Sequence, residues 1–183
     1  MTQLRATAFL LRPLTTADAP AMAAAVRESQ ATVGKWMSWA HRGYSEADAL
    51  DWVALCETGR ADGSAHEFGI FRSDGQAFVG VAGLNQFNRL NGFCNLGYWV
   101  RESAQRQGAG LAAVGALADY AFEQLHQHRV EIVVADGNLP SLTLARKAGA
   151  VYECLARKRL QLHGAAVSAH VLSLVPGDRP RLS

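Results

Sequence analysis

The chain has 183 residues, of which 49% are hydrophobic and 19% charged, and its formal net charge is +2. These values are typical of a single folded globular domain and exclude a disordered or fibrous chain. The charge is too small and too evenly spread to favour direct nucleic-acid binding. There is also no apolar run of about 18 residues that would favour a membrane span.

The N-terminal part is predicted to contain one strand and two helices. Ala6–Leu11 has strand character and lacks the long apolar region of a signal peptide, so we expect a cytoplasmic protein. A first helix is predicted over Ala17–Arg27, and an aromatic, loop-like stretch follows over Val33–Tyr44. The second helix begins after Ser45, with acidic residues in its first turn, and runs to Glu57. Gly59–Gly63 is predicted to be a turn.

The middle of the chain is predicted to be an antiparallel meander. Three strand-like runs occupy His66–Arg72, Ala77–Phe87 and Asn91–Val100. Ser73–Gly75 separates the first two, and Asn91 with Gly92 forms an Asn-Gly turn signal before the third.

Helices and strands alternate after the meander. The predicted elements are a helix over Gly108–His126, a strand over Arg129–Ala135, a short helix over Pro140–Ala148, and strands over Val151–Leu162 and Val167–Val175 joined through His163 and Gly164. Pro176–Ser183 is a polar tail that we expect to be frayed. The sequence therefore predicts one α/β domain over residues 1–183, α+β by some schemes. Its mixed, mostly antiparallel sheet has six to seven strands, with about four helices and a central parallel β–α–β step near residues 94–135.

The segment Gln105–Leu111, QRQGAGL, carries the clearest chemical signal. It joins a strand to an amphipathic helix, and its two glycines let the backbone approach a bulky anion closely. The helix N-terminus behind them offers unpaired N–H groups and the positive end of the helix dipole. Arg101 and Arg106 could add charge at the rim. The segment predicts a phosphate cradle, although glycines can also merely shape a strand–helix turn.

A dinucleotide-binding Rossmann motif is the alternative, because Gly108, Gly110 and Ala113 fit that pattern. The motif lies behind an antiparallel meander, and a single parallel step follows it. Asp136 comes too late to serve as the ribose-binding acid. These features argue against a Rossmann fold.

Metal and cysteine chemistry receive little support. Cys56, Cys94 and Cys154 are widely separated, and the six histidines form no cluster at ligand spacing, so we expect no metal. None of the cysteines lies in a motif typical of a nucleophile, which favours direct transfer over a covalent enzyme intermediate.

The chain resembles the GNAT acetyltransferase superfamily, whose acyl-CoA signature Q/R-x-x-G-x-G/A is matched by Gln105, Gly108 and Gly110. It is most similar to the RimJ/RimL-type branch, which acetylates the N-terminal α-amines of ribosomal proteins. The similarity covers nearly the whole chain. The segments that carry it are LRPLTTAD (Leu11–Asp18), LGYWV (Leu96–Val100), the glycine loop, GNLPSLTLARKAGA (Gly137–Ala150), Glu153 and the His163-Gly164 turn.

The resemblance implies acetyl-CoA as co-substrate and a set of residues that hold it. Pantetheine would lie along the strand Gly97–Val100, a backbone N–H near Trp99 and Val100 would polarise the thioester carbonyl, and the amides of the glycine loop would hold the pyrophosphate. Ser141 would be the acid that protonates the leaving thiolate. The implied cofactor-binding residues are Trp99, Val100, Gln105, Arg106, Gln107, Gly108, Ala109, Gly110, Leu111, Asn138 and Ser141. Asn138 and Ser141 also occupy a helix start, where both are ordinary capping residues.

The acceptor side is less determined. Glu67, Glu102 and His66 are candidate bases, each more typical of a solvated surface group. Leu160 lies where some RimL-type relatives carry an acid. The resemblance therefore does not assign the general base or the exact substrate of this chain. Trp36, Met37, Trp39 and Tyr44 would line the acceptor cleft or fill the core edge.

The predicted function is acetyl-CoA-dependent transfer to a primary amine. The leading acceptor is a protein N-terminal α-amine, with a ribosomal-protein N-terminus as the candidate partner. The alternatives are a small-molecule amine, such as an antibiotic, polyamine or amino acid, and a non-catalytic acyl-CoA-binding module. The resemblance is compatible with a monomer or a homodimer.

Overall fold

A computed structural model describes residues 2–74 and 77–178. Within them, eight strands form one sheet in the order β1-β2-β3-β4-β5-β6-β8-β7. The strands are β1 (Leu4–Ala6), β2 (Phe9–Arg12), β3 (His66–Arg72), β4 (Phe78–Asn88), β5 (Phe93–Val100), β6 (Arg129–Ala135), β7 (Val151–Leu162) and β8 (Ala165–Leu174). The α-helices are α1 (Ala19–Glu28), α2 (Glu46–Asp62), α3 (Ala109–Glu123) and α4 (Leu139–Lys147), with short 3₁₀ turns at Thr16–Asp18 and Glu102–Ala104.

The predicted mixed sheet is confirmed. All strand pairs are antiparallel except β5 and β6, which pair in parallel on either side of α3. The strand count is eight rather than six to seven, because the predicted single strand Ala6–Leu11 is a tight hairpin. Ala6 pairs with Phe9, and Thr7 between them has a φ of +53°. A turn made by Thr and Ala gives no Gly or Asn signal in the sequence.

The second helix is longer than predicted. Its start is confirmed, since Ser45 and Asp48 form the expected capping box. The helix then continues through Gly59 and ends before Gly63, whose φ of +70° suits a left-handed helix cap. Gly59 is buried within the helix, and an ideal Cβ there would lie 3.0 Å from Ala65 Cβ, which accounts for a glycine at this position. The predicted turn at Gly59–Gly63 is therefore wrong except at its last residue.

Helices cover both faces of the sheet. One apolar core joins the sheet to α3 and α4, and it includes Leu96, Leu117 and Ile132. The other joins the opposite face to α1 and α2, and it includes Met22 and Trp99. None of the described helices is long and apolar enough to cross a membrane.

The aromatic loop between α1 and α2 contributes to the second core. Tyr44 is 6% exposed and buried there, whereas Trp39 is 42% exposed. Loop aromatics therefore fill the core edge and also reach the surface. Of the predicted turns and tail, Gly75 and residues 179–183 lie outside the described residues.

The parallel step positions the candidate site. Because β5 and β6 run in the same direction, their carboxyl ends lie at the same edge of the sheet. The loop before α3 and the loop before α4 therefore start side by side.

Candidate active site

A wedge-shaped opening separates β5 from β6 at this edge. The two strands pair only from Phe93 with Arg129 to Asn95 with Glu131. Beyond that point β5 stays paired with β4 as far as Val100, and β6 stays paired with β8. Residues 96–100 and 132–135 therefore border a gap in the middle of the sheet.

Backbone amides of β5 face this wedge alternately. Arg101 donates its N–H to the carbonyl oxygen of Val79 on β4 at 2.8 Å. Because strand amides alternate in direction, the N–H of Trp99 also faces β4, whereas those of Tyr98 and Val100 face the wedge. Of the two residues predicted to polarise a carbonyl, Val100 has the suitable orientation. The Trp99 side chain is buried in the α1–α2 core.

The two glutamines of the glycine motif brace the loop with their side chains. Gln105 donates through Nε2 to Val100 O at 3.0 Å and to Thr32 Oγ1 at 3.2 Å. Gln107 donates to Ser103 O at 2.9 Å. Since these side chains are engaged within the protein, the loop would meet a ligand mainly through its backbone.

Gly108 has the geometry expected of a phosphate cradle. It is the N-cap of α3 with a φ of +88°, and no other heavy atom lies within 4 Å of its ideal Cβ position. The N–H groups of Ala109, Gly110 and Leu111 lie in the first turn of α3, where no intrahelical acceptor exists. Open space, free donors and the positive helix end together fit a pyrophosphate.

Gly110 also has a role in helix packing. Its ideal Cβ would lie 2.6 Å from Leu144 Cδ1 and 3.7 Å from Val100 Cγ2. The absence of a side chain thus allows α3 to approach α4 closely. Packing thus gives a second reason for glycine at this position, and its N–H belongs to the first turn of α3.

Arg101 does not contribute charge to the cradle as expected. Its guanidinium donates to Glu28, with an Nε–Oε2 distance of 3.1 Å, and to Phe78 O. Glu28 also accepts the Ser103 N–H at 2.7 Å. The hydrogen bond from Arg101 lowers the pKa of Glu28 to about 2. Arg101 is therefore neutralised, and Arg106, which is exposed with a φ of +61°, is the remaining arginine of the predicted rim.

The start of α4 brings Asn138 and Ser141 to the wedge. Asn138 caps the helix by accepting the Ser141 N–H at 3.3 Å, so the expected capping role is present. The Tyr98 hydroxyl oxygen lies 2.9 Å from Ser141 Oγ and 3.2 Å from the Ser141 carbonyl oxygen, and its one proton can be donated to either. Burial raises the pKa of Tyr98 to about 12, which keeps its phenol neutral.

The sequence alone does not reveal the role of Tyr98. The residue belongs to the LGYWV strand, but its partner is 43 positions away in the chain. Alternation along β5 places its side chain on the α3–α4 face, beside Val100. The structure shows that Tyr98 holds the Ser141 hydroxyl from across the wedge.

The aromatic loop (Val33–Tyr44) and the β7–β8 turn contact each other beside the N-terminus of α4. The His163 N–H donates to Ser38 Oγ at 2.8 Å, and its Nε2 lies 3.3 Å from Lys35 O. The Trp36 ring lies 3.6 Å from the ideal Cβ position of Gly137. These contacts place the aromatic loop, which is predicted to line the acceptor cleft and is called the acceptor loop below, next to the wedge.

Glu67 is not the solvated surface group that was expected. It is 7% exposed, and Asn85 Nδ2 donates to its Oε1 at 3.0 Å. The Arg60 guanidinium on α2 donates to its backbone carbonyl. Burial raises the pKa of Glu67, and the Asn85 hydrogen bond and the Arg60 charge oppose that effect.

The other two candidate bases lie elsewhere. Glu102 is exposed and accepts from Thr32 Oγ1 at 3.4 Å. His66 is half-buried on the α3–α4 face, where its Nδ1 lies 3.2 Å from the Tyr120 hydroxyl, and burial lowers its pKa. Of the three candidates, Glu67 is the one that lies on the α1–α2 face of the sheet. The aromatic loop between α1 and α2 packs on the same face.

The cysteines offer no evident nucleophile. Cys56 and Cys94 are buried, and burial raises the pKa of each thiol to about 12. Cys154 is exposed on β7. Across residues 2–74 and 77–178, no group of three or more His, Cys, Asp or Glu residues could hold a metal ion.

Comparison with known proteins agrees with this geometry. Residues 8–151 match the family of the acetyltransferase (GNAT) domain. YdaF of Bacillus subtilis strain 168, provisionally named a ribosomal N-acetyltransferase, is 31% identical over 156 residues, which is 84% of each chain.

Two solved structures extend the comparison. A Vibrio cholerae protein, provisionally described as a ribosomal-protein-serine acetyltransferase, is 31% identical with a TM-score of 0.83, covering 96% of this chain and 98% of its own. Mycobacterium smegmatis RimJ in complex with CoA-disulfide shares the fold, with a TM-score of 0.86, 24% identity and coverage of 98% and 88%.

The family match spans more than half of the chain, and the sheet, wedge and glycine loop agree with it. The chain therefore belongs to the GNAT acetyltransferase family and is an acyltransferase.

Proposed function

We propose that this protein transfers the acetyl group of acetyl-CoA to a primary amine by direct attack, and that the acceptor is a protein N-terminal α-amine. The observation that carries the proposal is the wedge. At one edge of the sheet it brings together a cradle at the start of α3, the inward N–H of Val100, and a Ser141 hydroxyl fixed by Tyr98.

The described residues fit acetyl-CoA. The amides of Gly108–Leu111 would hold the pyrophosphate, with Arg106 at the rim, and the β5 amides that face the wedge would pair with pantetheine. Asn138 Oδ1 is engaged at the helix cap, so Asn138 would contact the ligand through Nδ2. When bound, acetyl-CoA supplies a thioester, an acyl group activated for attack.

The residues around the wedge divide the work of the transfer. The Val100 N–H stabilises the negative charge that develops on the carbonyl oxygen as the amine nitrogen bonds to the carbonyl carbon. As the carbon–sulfur bond breaks, the Ser141 hydroxyl gives its proton to the thiolate. Tyr98 keeps that hydroxyl in place. Direct transfer is supported by the two buried thiols, whose raised pKa disfavours the thiolate.

The choice of acceptor rests on similarity. The B. subtilis and V. cholerae relatives, each 31% identical to this chain, carry names that describe ribosomal acetyltransferases. The contact between the aromatic loop and the β7–β8 turn is compatible with a peptide entering beside α4. A ribosomal-protein N-terminus is thus the proposed partner.

An acetyl-transfer screen tests this proposal. The panel contains lysine-free peptides with N-terminal serine, alanine or methionine, together with a polyamine, an aminoglycoside and free amino acids, and mass spectrometry reads the products. We expect acetylated peptide α-amines. Modification of one small amine while every peptide stays inert would replace the proposed acceptor.

Ser141→Ala supplies the control for catalysis. It should retain acetyl-CoA binding and lose most of its turnover. A wild-type protein that binds acetyl-CoA but transfers acetyl to nothing in the panel would instead indicate a binding module.

A further inference from the structure

Three paired residues lie in a row across the α1–α2 face of the sheet. Glu67 on β3 pairs with Gly83 on β4, and Gly83 pairs with Gly97 on β5. The neighbouring residues Phe68 and Leu96 belong to the α3–α4 core, so alternation directs this row to the opposite face. With two glycines in the row, Glu67 supplies its only side chain.

The Glu67 carboxylate reaches across one strand toward the wedge. A Cβ on Gly83 would overlap Glu67 Oε2, so the carboxylate lies directly over that glycine. The space over Gly97 is open, because the nearest atom to its ideal Cβ, apart from its chain neighbours, is Asn95 Nδ2 at 4.0 Å. Paired positions on adjacent strands are about 5 Å apart. One water molecule over Gly97 would therefore be within hydrogen-bond reach of the Glu67 carboxylate and of an amine that enters the wedge.

Two asparagine side chains connect Glu67 to the apex of the wedge. Asn85 donates to Glu67 Oε1 at 3.0 Å, and Asn95 donates to Asn85 Oδ1 at 2.9 Å. Asn95 is the last residue of β5 that pairs with β6. The amide chain fixes Oε1 and orients the carboxylate, while Oε2 is directed over Gly83.

The surroundings of Glu67 suit a proton acceptor. The groups facing it are Asn85 on β4 and, from α2, the Arg60 guanidinium and the Cys56 thiol. Burial raises the pKa of Glu67, which narrows its difference from an α-amine, whose pKa is about 8. A base with a raised pKa accepts the amine proton more favourably near neutral pH.

Glu67 and Ser141 lie on opposite sides of the sheet. Tyr98 directs the serine hydroxyl to the wedge from the α3–α4 face, and Glu67 approaches from the α1–α2 face. A carbonyl carbon within the wedge would thus meet an acid on its leaving-group side and a base on the side of the acceptor loop.

We propose that Glu67 is the proton acceptor for the amine, acting through one water molecule over Gly97. This inference rests on the proposed acetyl transfer. The ammonium form of the amine first gives one proton to the water, which passes one to Glu67 Oε2. The neutral amine then bonds to the carbonyl carbon and releases its second proton to solvent. The carbon–sulfur bond breaks and the thiolate takes the Ser141 proton. Exchange with solvent then returns both residues to their starting states.

Glu67→Gln tests the role of the carboxylate, because glutamine keeps the oxygen that accepts from Asn85. The probe is a lysine-free peptide with N-terminal serine, or the amine that wild type acetylates fastest in the screen. At about pH 7 we expect kcat to fall at least about 100-fold with an unchanged KM for acetyl-CoA. Near pH 9 the deficit should shrink, since the amine itself is then deprotonated.

Glu57→Gln, which changes an exposed acid on α2 outside the site, is the control and should keep wild-type rates. Glu67→Gln should unfold at the same temperature as wild type or higher, because it removes a buried charge. Wild-type kcat in Glu67→Gln, or an equal loss at every pH, would overturn the role of Glu67 while leaving acetyl transfer intact. A wild-type protein that acetylates nothing would overturn the proposed function, and this role with it.

Discussion

Gly108 and Gly110 are two residues apart in one motif, yet the structure gives them separate reasons to be glycine. Gly108 combines a φ of +88° with open space where its side chain would be. An ideal Cβ on Gly110 would lie 2.6 Å from Leu144 Cδ1, so a side chain there would displace Leu144. A sequence pattern cannot separate these cases, because the difference depends on which helix lies opposite each residue.

Valine at Gly108 and alanine at Gly110 should therefore have different effects. Gly108→Val places a β-branched residue at positive φ and fills the cradle, so we expect a large rise in the Kd for acetyl-CoA. Gly110→Ala should instead lower the free energy of unfolding by about 1–3 kcal/mol with little change in Kd. Calorimetric titration and urea denaturation measure the two quantities.

The partner of Gly110 offers a further check. In a Gly110→Ala background, Leu144→Ala removes the atom that the new Cβ would meet. The two substitutions should cost less together than the sum of their separate effects. A Gly110→Ala protein with wild-type stability and weak acetyl-CoA binding would show that this glycine is needed for cofactor binding and not for helix packing.

Tyr98 is predicted to act through the position of Ser141. Tyr98→Phe keeps the ring and removes the hydroxyl that lies 2.9 Å from Ser141 Oγ. We expect kcat to fall about 10- to 100-fold, since a misplaced acid loses alignment, while the KM for acetyl-CoA stays close to wild type. Steady-state kinetics of Tyr98→Phe beside Tyr152→Phe, an exposed tyrosine on β7, measures this effect. Equal kcat in the two variants would contradict the positioning role.

Among the elements, those with strong local signals were predicted well. The prediction for the strand Arg129–Ala135 matches its observed bounds, because the segment is rich in β-branched residues. The capping box at Ser45 correctly marked the start of α2. The bounds that failed depend on tertiary contacts. Gly59 lies within its helix in close contact with Ala65, and Thr7 turns the chain without a turn residue.

The Glu28 carboxylate connects the end of α1 to the loop before α3. Glu28 ends α1, a position that the helix dipole disfavours for an acid. Its bonds to Arg101 and to the Ser103 N–H compensate for this, and Arg101 lowers the pKa of Glu28 to about 2. These bonds fix the segment that leads into the cradle.

This lowered pKa predicts a pH-dependent contribution to stability. A carboxylate whose pKa is lower in the folded state stabilises the protein above its ordinary pKa of 4.5, and the contribution is lost as the pH falls toward 2. Glu28→Gln should thus be less stable than wild type at neutral pH by about 1 kcal/mol or less, since the pair is partly exposed. The difference should shrink between about pH 4.5 and pH 2.

Urea denaturation at several pH values measures this difference. Glu57→Gln, which changes an exposed acid on α2, is the control and should show no such trend. A constant difference between Glu28→Gln and wild type down to pH 2 would contradict the assigned ion pair.

At the scale of the whole molecule, the site depends on a register that no single segment encodes. The sequence correctly predicted the β–α–β step and the glycine loop. The pairing between β5 and β6 ends at Asn95. Beyond that point β5 stays paired with β4 and β6 stays paired with β8, and the wedge lies between them. The Glu67–Asn85–Asn95 network likewise depends on three strands in register. Such long-range pairings leave no periodic signal, which is why Glu67 was expected at the surface.

The wedge makes a prediction for hydrogen exchange. The N–H of Asp136 bonds to Ser168, so alternation directs the amides of Val133 and Ala135 toward the opening. With Tyr98 and Val100 on the other side, these amides lack a facing strand. They should exchange faster than that of Ile70 within β3, and saturating acetyl-CoA should slow them. Exchange measured by NMR, with and without acetyl-CoA, gives the comparison amide by amide.

The pattern of protection distinguishes two ways of holding the cofactor. If pantetheine lies in the wedge, the amides of Tyr98 and Val100 gain protection together with those at the start of α3. Protection confined to Gly108–Leu111 would mean that only the pyrophosphate is held and that the wedge does not bind pantetheine. Ser141→Ala should show the full wild-type pattern, because its hydroxyl is assigned to proton transfer and the wedge amides do not depend on it.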